Sequence, residues 1–494
     1  MKCLLGIDVG TSGVKALLLN ANGKIVASAY REYGVDIPAL GRAEQDPETW
    51  WKATQDILLE LKTKQGDSYK SIACIGFSGQ MHGLVMVDKD MKPIRPAIVW
   101  LDQRAKREVE HIYGVIPSES FHKITLNRAS SGFALPSLLW IKQHEPGKFE
   151  KIFKVMLPKD YVRMRMTGQI ATDMSDASST VAFDTKKREW AGEILWALGL
   201  RRELFPECYE GDMIAGTVRE NICEDLGLPK GVPVVFGGGD QPVQGVGNGV
   251  IRSGLMYTNI GTSGQVSIYS DKPMFDSQHR THTFCHAIKN GWSIFGATLS
   301  SGLALKWLKN NILELEDYNS MCNAAAEVPA GSDGVMFLPY LAGERTPHFD
   351  NSAKAIFFGL RLGHDQRHMI RSVMEGVVYS LKESLVLFEE MGVEVSSIIA
   401  AGGGSRNPVW VQMQADVFGK PVRVINVSEQ ACLGAAMLAG VGCGLFESYE
   451  QATDTYVRFS DRVYEPDPRT QEAYLQGFDR YKKLYNNNKI LYKE

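Results

Sequence analysis

The sequence lacks several features that would place it at once. Its eight cysteines form no Cys-x-x-Cys pair, so no thiolate metal knuckle or redox dithiol motif is written into it. The scattered thiols of Cys3, Cys74, Cys208, Cys223, Cys285, Cys322, Cys432 and Cys443 read as buried and reduced. No apolar run approaches the roughly 20 residues of a membrane helix. Charge of one sign is also scarce. The net charge is −3, with no basic surplus for nucleic acid and no acidic block. Met1 to Gly6 run straight into an apolar strand pattern without the regions of a signal peptide. These absences predict a cytoplasmic protein without a membrane or nucleic-acid partner. No dinucleotide fingerprint follows a first strand, which argues against an NAD-dependent oxidoreductase.

What is present begins with a repeat. Residues 4–20 read as strand, tight turn, strand, around Asp8-Val9-Gly10-Thr11-Ser12-Gly13. Residues 255–269 read the same way around Asn259-Ile260-Gly261-Thr262-Ser263-Gly264. A hairpin repeated about half a chain apart predicts two related domains, here 1–247 and 248–494 of the 494 residues. Glycine permits positive φ, so each turn is expected to form an anion nest of backbone N–H groups, with hydroxyls added by Thr and Ser. Two such turns facing each other would hold a polyphosphate from both sides.

Strand and helix signals alternate in both halves, which predicts an α/β fold. Asp46-Pro47 caps a helix, and Ile72–Phe77 and Leu84–Val87 are expected strands. A helix is expected to open at Pro136, and a long one to run from about Met369 to Met391, stopped by Gly392. Ser396–Ala401 feeds Gly402-Gly403-Gly404-Ser405, and Asn407-Pro408 caps the next helix. Ser428 is expected to cap a small-residue helix containing Ala431, Gly434, Ala435, Ala436 and Ala439. The polar tail after about Asn486 is expected to fray.

Two carboxylates stand out. Asp8 ends the first strand beside the turn, where a carboxylate next to phosphate needs a cation between them, and Mg²⁺ suits that role. Asp240 follows Gly237-Gly238-Gly239 just before the second hairpin, placed to accept the proton of an attacking hydroxyl. Gly79-Gln80-Met81-His82-Gly83 offers donors and acceptors to a polyol at a strand end. Asp102 and Arg104, after Trp100, fit a ligand contact or a structural ion pair equally well. Gly402 to Asn407 resembles a nucleotide-binding turn, but lacks both the G-x-G-x-x-G and Walker patterns.

Together these segments resemble the FGGY family of carbohydrate kinases over almost the whole chain, from Gly6 to about Gly440. Similar stretches include Glu44–Trp51, Leu157–Tyr161, Asp173–Ala177 and Leu338–Pro347. The resemblance implies two duplicated actin/Hsp70-like (ribonuclease H-like) ATPase domains around a cleft, with the last helix packing back on the first domain. It implies ATP and Mg²⁺ as cofactors and a small sugar as substrate, with a homodimer allowed. The Gln80-Met81-His82-Gly83 run is similar to that of members acting on D-xylulose, whereas members acting on glycerol carry an Arg-Glu pair there.

By the resemblance Asp240 is the general base, and Asp8 and Asp240 lie at the metal. Gln80, Met81, His82, Asp102, Arg104 and Gln241 are sugar-site candidates, with Lys159 a weaker one. Gly10, Thr11, Ser12 and Lys15, then Gly261, Thr262 and Ser263, match the phosphate loops. Gly402, Gly403, Ser405 and Asn407 match the adenosine site. Gln241 departs from the Asn common in the xylulose-directed members. That departure keeps ribulose, gluconate, glycerol and erythritol open as alternatives. A catalytically weak sugar sensor on the same fold is the other rival, opposed by the presence of both Asp8 and Asp240.

Overall fold

The structure, a computed structural model, describes residues 1–315, 317–427 and 429–492. The apolar runs of the first half form strands β1 (Cys3–Val9), β2 (Gly13–Asn20), β3 (Ile25–Glu32), β4 (Ile72–Gly79), β5 (Ile214–Thr217), β6 (Pro233–Val235) and β7 (Gly238–Gly239). Their order is β5-β6-β4-β1-β2-β3, with β7 also paired to β4. Helix α1 (Pro47–Lys64), capped by the Asp46 side chain, buries Trp50, Ile57, Leu58 and Leu61 in this domain's core. Three further helices shape the site: α2 (Pro158–Thr167), α3 (Met174–Ser179) and α4 (Asp240–Gly247).

The second half contains β8 (Gly254–Ile260), β9 (Gly264–Ser270), β10 (His282–Cys285), β11 (Trp292–Thr298), β12 (Val395–Gly402), β13 (Val422–Ile425) and β14 (Phe459–Tyr464). Their order is β10-β11-β9-β8-β12-β13-β14. Each sheet starts from an antiparallel hairpin, β1–β2 or β8–β9. Each then sets a parallel strand beside the first, β4 or β12, and a second parallel strand beyond it, β6 or β13. The two domains are therefore one mixed-sheet plan used twice, the arrangement of duplicated ribonuclease H-like domains. Helices α5 (Gln366–Glu390), α6 (Pro408–Phe418), α7 (Gln430–Gly442) and α8 (Pro468–Asn488) complete the second half.

The small-residue helix α7 belongs to the second half of the chain but lies on β1 and β4 of the first domain and against α4. Its buried residues face several directions at once: Cys432, Leu433, Ala435, Ala436, Met437, Leu438 and Ala439. Glycine makes the approach possible. A Cβ on Gly6 would lie 1.9 Å from the Cys432 carbonyl oxygen, and one on Gly76 1.8 Å from that of Ala435. Gly247 and Gly434 do the same where α4 crosses α7. The final helix α8 packs instead into the second domain's core through Tyr474, Phe478 and Tyr481.

Several local expectations are corrected. The helix expected to open at Pro136 starts at Ala134, with Pro136 in its first turn. The tail does not fray at Asn486: α8 runs to Asn488, a 3₁₀ turn follows, and Tyr492 is buried against the core. The cap assigned to Ser428 lies outside the described residues. All eight cysteines are free, and Cys208 and Cys443 are only half-buried. Among the described residues no helix is long and apolar enough to cross a membrane.

Candidate active site

Strands β1, β4 and β7 end side by side, with Asp8, Ser78 and Gly238 in lateral register. Asp8 and Ser78 project to the same face, and the Ser78 hydroxyl donates to Asp8 Oδ1 at 2.8 Å. Two residues beyond Gly238 the chain turns into α4, whose first residue is Asp240. Asp240 forms no ion pair among the described residues. Burial, and then the charge of Asp8, push its carboxyl up to about 7, against a hydrogen bond from the Gln241 N–H. Burial raises Asp8 as well, with Ser78 and Lys15 opposing. A carboxylate disfavoured by the charge of a neighbouring one suits a divalent cation between the pair and a polyphosphate.

The two Gly-Thr-Ser-Gly turns close β1–β2 and β8–β9. Their expected positive φ is absent: none of Gly10, Gly13, Gly261 and Gly264 is left-handed. Crowding explains two of these glycines. A Cβ on Gly13 would meet the Tyr30 ring at 2.4 Å, and one on Gly264 the Ser301 hydroxyl at 2.2 Å. The turns stay open all the same, with Ser12, Gly261, Thr262 and Ser263 exposed.

The first turn is braced from beneath. Tyr33 donates to the Gly10 carbonyl at 2.6 Å, Gln45 to the Thr11 carbonyl at 2.8 Å, and Trp100 Nε1 to Thr11 Oγ1 at 2.9 Å. Gln80 belongs to this brace. It accepts from Thr11 Oγ1 at 3.2 Å and donates to Gln45 Oε1 at 2.9 Å. Both ends of its amide are occupied, so its expected sugar contact is corrected to support of the phosphate turn.

Met81 is buried beside Gly239, the residue before Asp240, and His82 follows it. Met81 packs so closely that a Cβ on Gly239 would meet its Cγ at 2.6 Å. His82 takes φ of 70° and stacks on Phe133 at 4.1 Å. Its Nδ1 lies 2.9 Å from the Ser179 carbonyl. A carbonyl only accepts, so Nδ1 carries the hydrogen. Burial lowers the ring's pKa to about 4, so at neutral pH Nε2 is a bare acceptor, ready for a hydroxyl. His82→Ala is therefore expected to raise the sugar KM about tenfold with a smaller change in kcat, the size of one buried hydrogen bond. Steady-state kinetics with varied sugar check this. Gln241 Oε1 accepts from the Tyr257 hydroxyl at 3.1 Å, which leaves its amide nitrogen as the end without that bond.

Asp102 and Arg104 are also corrected. Asp102 is fully buried, and its carboxylate accepts from the Arg104 side chain and from the Ala43 N–H at 2.6 Å. Arg104 also pairs with Glu44 at 2.6 Å. They form a structural ion-pair network behind Trp100. Lys15 pairs with Glu429 at 3.0 Å, tying β2 to the start of α7. Gly402 takes φ of 77° where β12 ends, so a left-handed residue does serve the second-domain turn. Ser405 bonds the Gly402 carbonyl and Asn407 caps α6, so both side chains are used within the turn.

One acidic cluster resembles a metal site. Asp160, Asp173 and Asp176 bring carboxylate oxygens within 4.8 Å of one another. The Lys159 ammonium already occupies the centre, 2.7 Å from Asp160, 2.7 Å from Asp173 and 3.1 Å from Asp176. Burial opposes that charge, but the three carboxylates outweigh it and hold the Lys159 pKa above its ordinary value. The cluster also holds the strand end before Asp240: Asp173 accepts from Ser175, whose hydroxyl accepts the Gly239 N–H at 2.9 Å. Lys159→Met should leave buried carboxylates uncompensated and cost about 3–5 kcal/mol. A lowered denaturation midpoint would show it.

Sequence reasoning missed Trp100 as a brace, Ser175 and Asp176 beneath Gly239, and Arg345 on the opposite wall. Only the neighbourhood of each in the family-like stretches pointed to them.

Comparison with known proteins accounts for this arrangement. A curated xylulose kinase of Bacillus subtilis is 37% identical over 491 residues, covering 99% of this chain and 98% of the relative. A crystal structure described as a xyloylose kinase from Brucella ovis superposes with a TM-score of 0.93 at 33% identity, covering 99% of this chain and all of the other. A gluconate kinase from Lactobacillus acidophilus superposes with a TM-score of 0.92 at 27% identity, covering 99% and 98%. Residues 3–247 match the N-terminal domain, and 256–443 the C-terminal domain, of the FGGY family of carbohydrate kinases, and the chain belongs to that family.

Proposed function

We propose that the protein transfers the γ-phosphoryl group of ATP to the terminal hydroxyl of D-xylulose, giving D-xylulose 5-phosphate and ADP. The carrying observation is Asp240: a carboxylate without an ion pair among the described residues, poised near neutrality beside Asp8 at the end of β1. The full-length similarity to xylulose kinases supports the choice of sugar.

In this reading the polyphosphate lies between the Gly10–Ser12 and Gly261–Ser263 turns, and the adenosine lies beside Gly402 and Gly403. Mg²⁺ supplies charge neutralisation on the phosphates, and Asp8, with Asp240 beside it, would hold it. The ketose rests on Met81, His82 Nε2 and the Gln241 amide. Asp240 accepts the hydroxyl proton as the oxygen attacks phosphorus. The transition state is loose, so positioning and charge stabilisation carry most of the catalysis. The division of the chain near residue 247 fits the end of α4, and a homodimer and a cytoplasmic location remain part of the proposal.

The second reading is an aldonate as acceptor, favoured by the gluconate kinase likeness. ATP consumption measured across D-xylulose, D-ribulose, glycerol, erythritol and D-gluconate separates the two. The proposal expects D-xylulose to be fastest by a wide margin. Preferential turnover of gluconate would replace it.

A further inference from the structure

The second domain turns a cation toward Trp100 of the first. Arg345 follows the second domain's core and is held there by its neighbour. The Thr346 N–H bonds the Ala297 carbonyl at 2.9 Å, and the Thr346 hydroxyl accepts the Ala297 N–H at 3.2 Å on β11. The Arg345 side chain is exposed and lies over the Trp100 ring of the first domain, 5.8 Å from its centroid. Its guanidinium makes no hydrogen bond or ion pair among the described residues.

The neighbouring carboxylate is turned away. Glu344 is buried, and its Oε1 accepts the N–H groups of Leu299 at 3.0 Å and Arg345 at 2.7 Å. Burial raises Glu344 to about 8, so it is mostly uncharged at neutral pH. The Arg345 charge reaches both His82 and His282, lowering each alongside the larger effect of burial. Asp240 is neighboured by Asp8 and Gln241, whereas Arg345 is neighboured by Trp100 and the two histidines. Arg345 therefore acts on the histidine side of the cleft, His82 and His282, rather than on the Asp8–Asp240 pair.

We propose that Arg345 is a specificity-determining residue that grips the oxygens at the sugar end opposite the phosphorylated hydroxyl, and that the same guanidinium lets the site take an aldonate by its carboxylate. An unpaired guanidinium offers a forked set of donors that matches a carbonyl with its neighbouring hydroxyl, and matches a carboxylate better. Its place on the second domain makes the grip depend on both walls of the cleft.

This inference rests on the sugar-kinase reading, and its test separates the two. The full-length wild type, Arg345→Ala and Arg345→Lys are assayed for the KM of D-xylulose, the KM of ATP, and inhibition by D-xylonate against the sugar. Arg345→Ala is expected to raise the sugar KM by about tenfold or more while the ATP KM stays within about threefold. D-xylonate should lose affinity by a larger factor than D-xylulose, and Arg345→Lys should fall between. An unchanged sugar KM overturns the proposal. So does a loss shared equally by sugar and ATP, or an equal loss for ketose and aldonate. Should Arg345→Ala melt early, Arg345→Gln gives the same comparison with the side-chain length largely kept. If wild type phosphorylates another polyol and not D-xylulose, the sugar assignment fails, yet the same variants assayed on that polyol still decide the role of Arg345.

Discussion

Asp240→Ala is expected to fold, to bind sugar and ATP within a few-fold of wild type, and to lose turnover by about 10²–10⁴-fold, the range for a positioned general base. The residue sits half-buried at the first turn of α4 and outside the apolar core, so its removal opens no core cavity. Its electrostatic setting explains the expected size. Burial and Asp8 raise its carboxyl to about 7, which brings the base close to the working pH. The sign is definite: a base acts deprotonated, so kcat/KM of the unliganded enzyme should fall as pH drops below about 7 and level off above it. Removing the Asp8 charge in Asp8→Asn should move that limb to lower pH. Isothermal titration for binding, and a coupled assay for turnover, separate loss of chemistry from loss of ligand. Turnover near wild type in Asp240→Ala would remove the residue from its role.

The second large effect is structural. Gly76→Ala places a Cβ 1.8 Å from the Ala435 carbonyl oxygen. Neither partner can yield cheaply: Gly76 is mid-strand in β4, and Ala435 is a backbone atom of α7, buried on both sides. Overpacking of this kind costs about 3 kcal/mol or more. It acts where α7 joins the two domains, so lost activity should accompany lost stability. Gly66→Ala is the control, since a Cβ there meets nothing within 4 Å. Thermal melting of both variants checks the prediction. Equal midpoints would mean that the crossing of α7 on β1 and β4 is looser than described.

The legible parts of this protein were the local ones. A hairpin, its Gly-Thr-Ser-Gly turn, and a glycine run leading into Asp240 are written in consecutive residues, so the sequence carried the duplication and singled out the carboxylate proposed as the base. Caps such as Asp46 and Asn407 were legible for the same reason. What failed was the direction of side chains set by distant segments. Gln80 looks like a ligand residue until Gln45, thirty-five positions away, takes its amide. Asp102 and Arg104 read equally as a ligand contact or an ion pair until Glu44 and Ala43 close around them. The glycines were recognised with the wrong reason attached. Gly13 and Gly264 are glycine because the side chains of Tyr30 and Ser301 come too close, which no turn rule states. Arg345 reaches the site from the other domain, beyond what spacing near Asp240 conveys.

The most direct test is to follow full-length protein with MgATP and D-xylulose by phosphorus NMR, with Asp240→Ala run in parallel. The account predicts one ADP for each phosphorylated ketose, a single ester on the terminal carbon of the sugar, and neither product at a comparable rate in the variant. ATP consumed no faster with sugar than without it, or equal rates for both proteins, would contradict it.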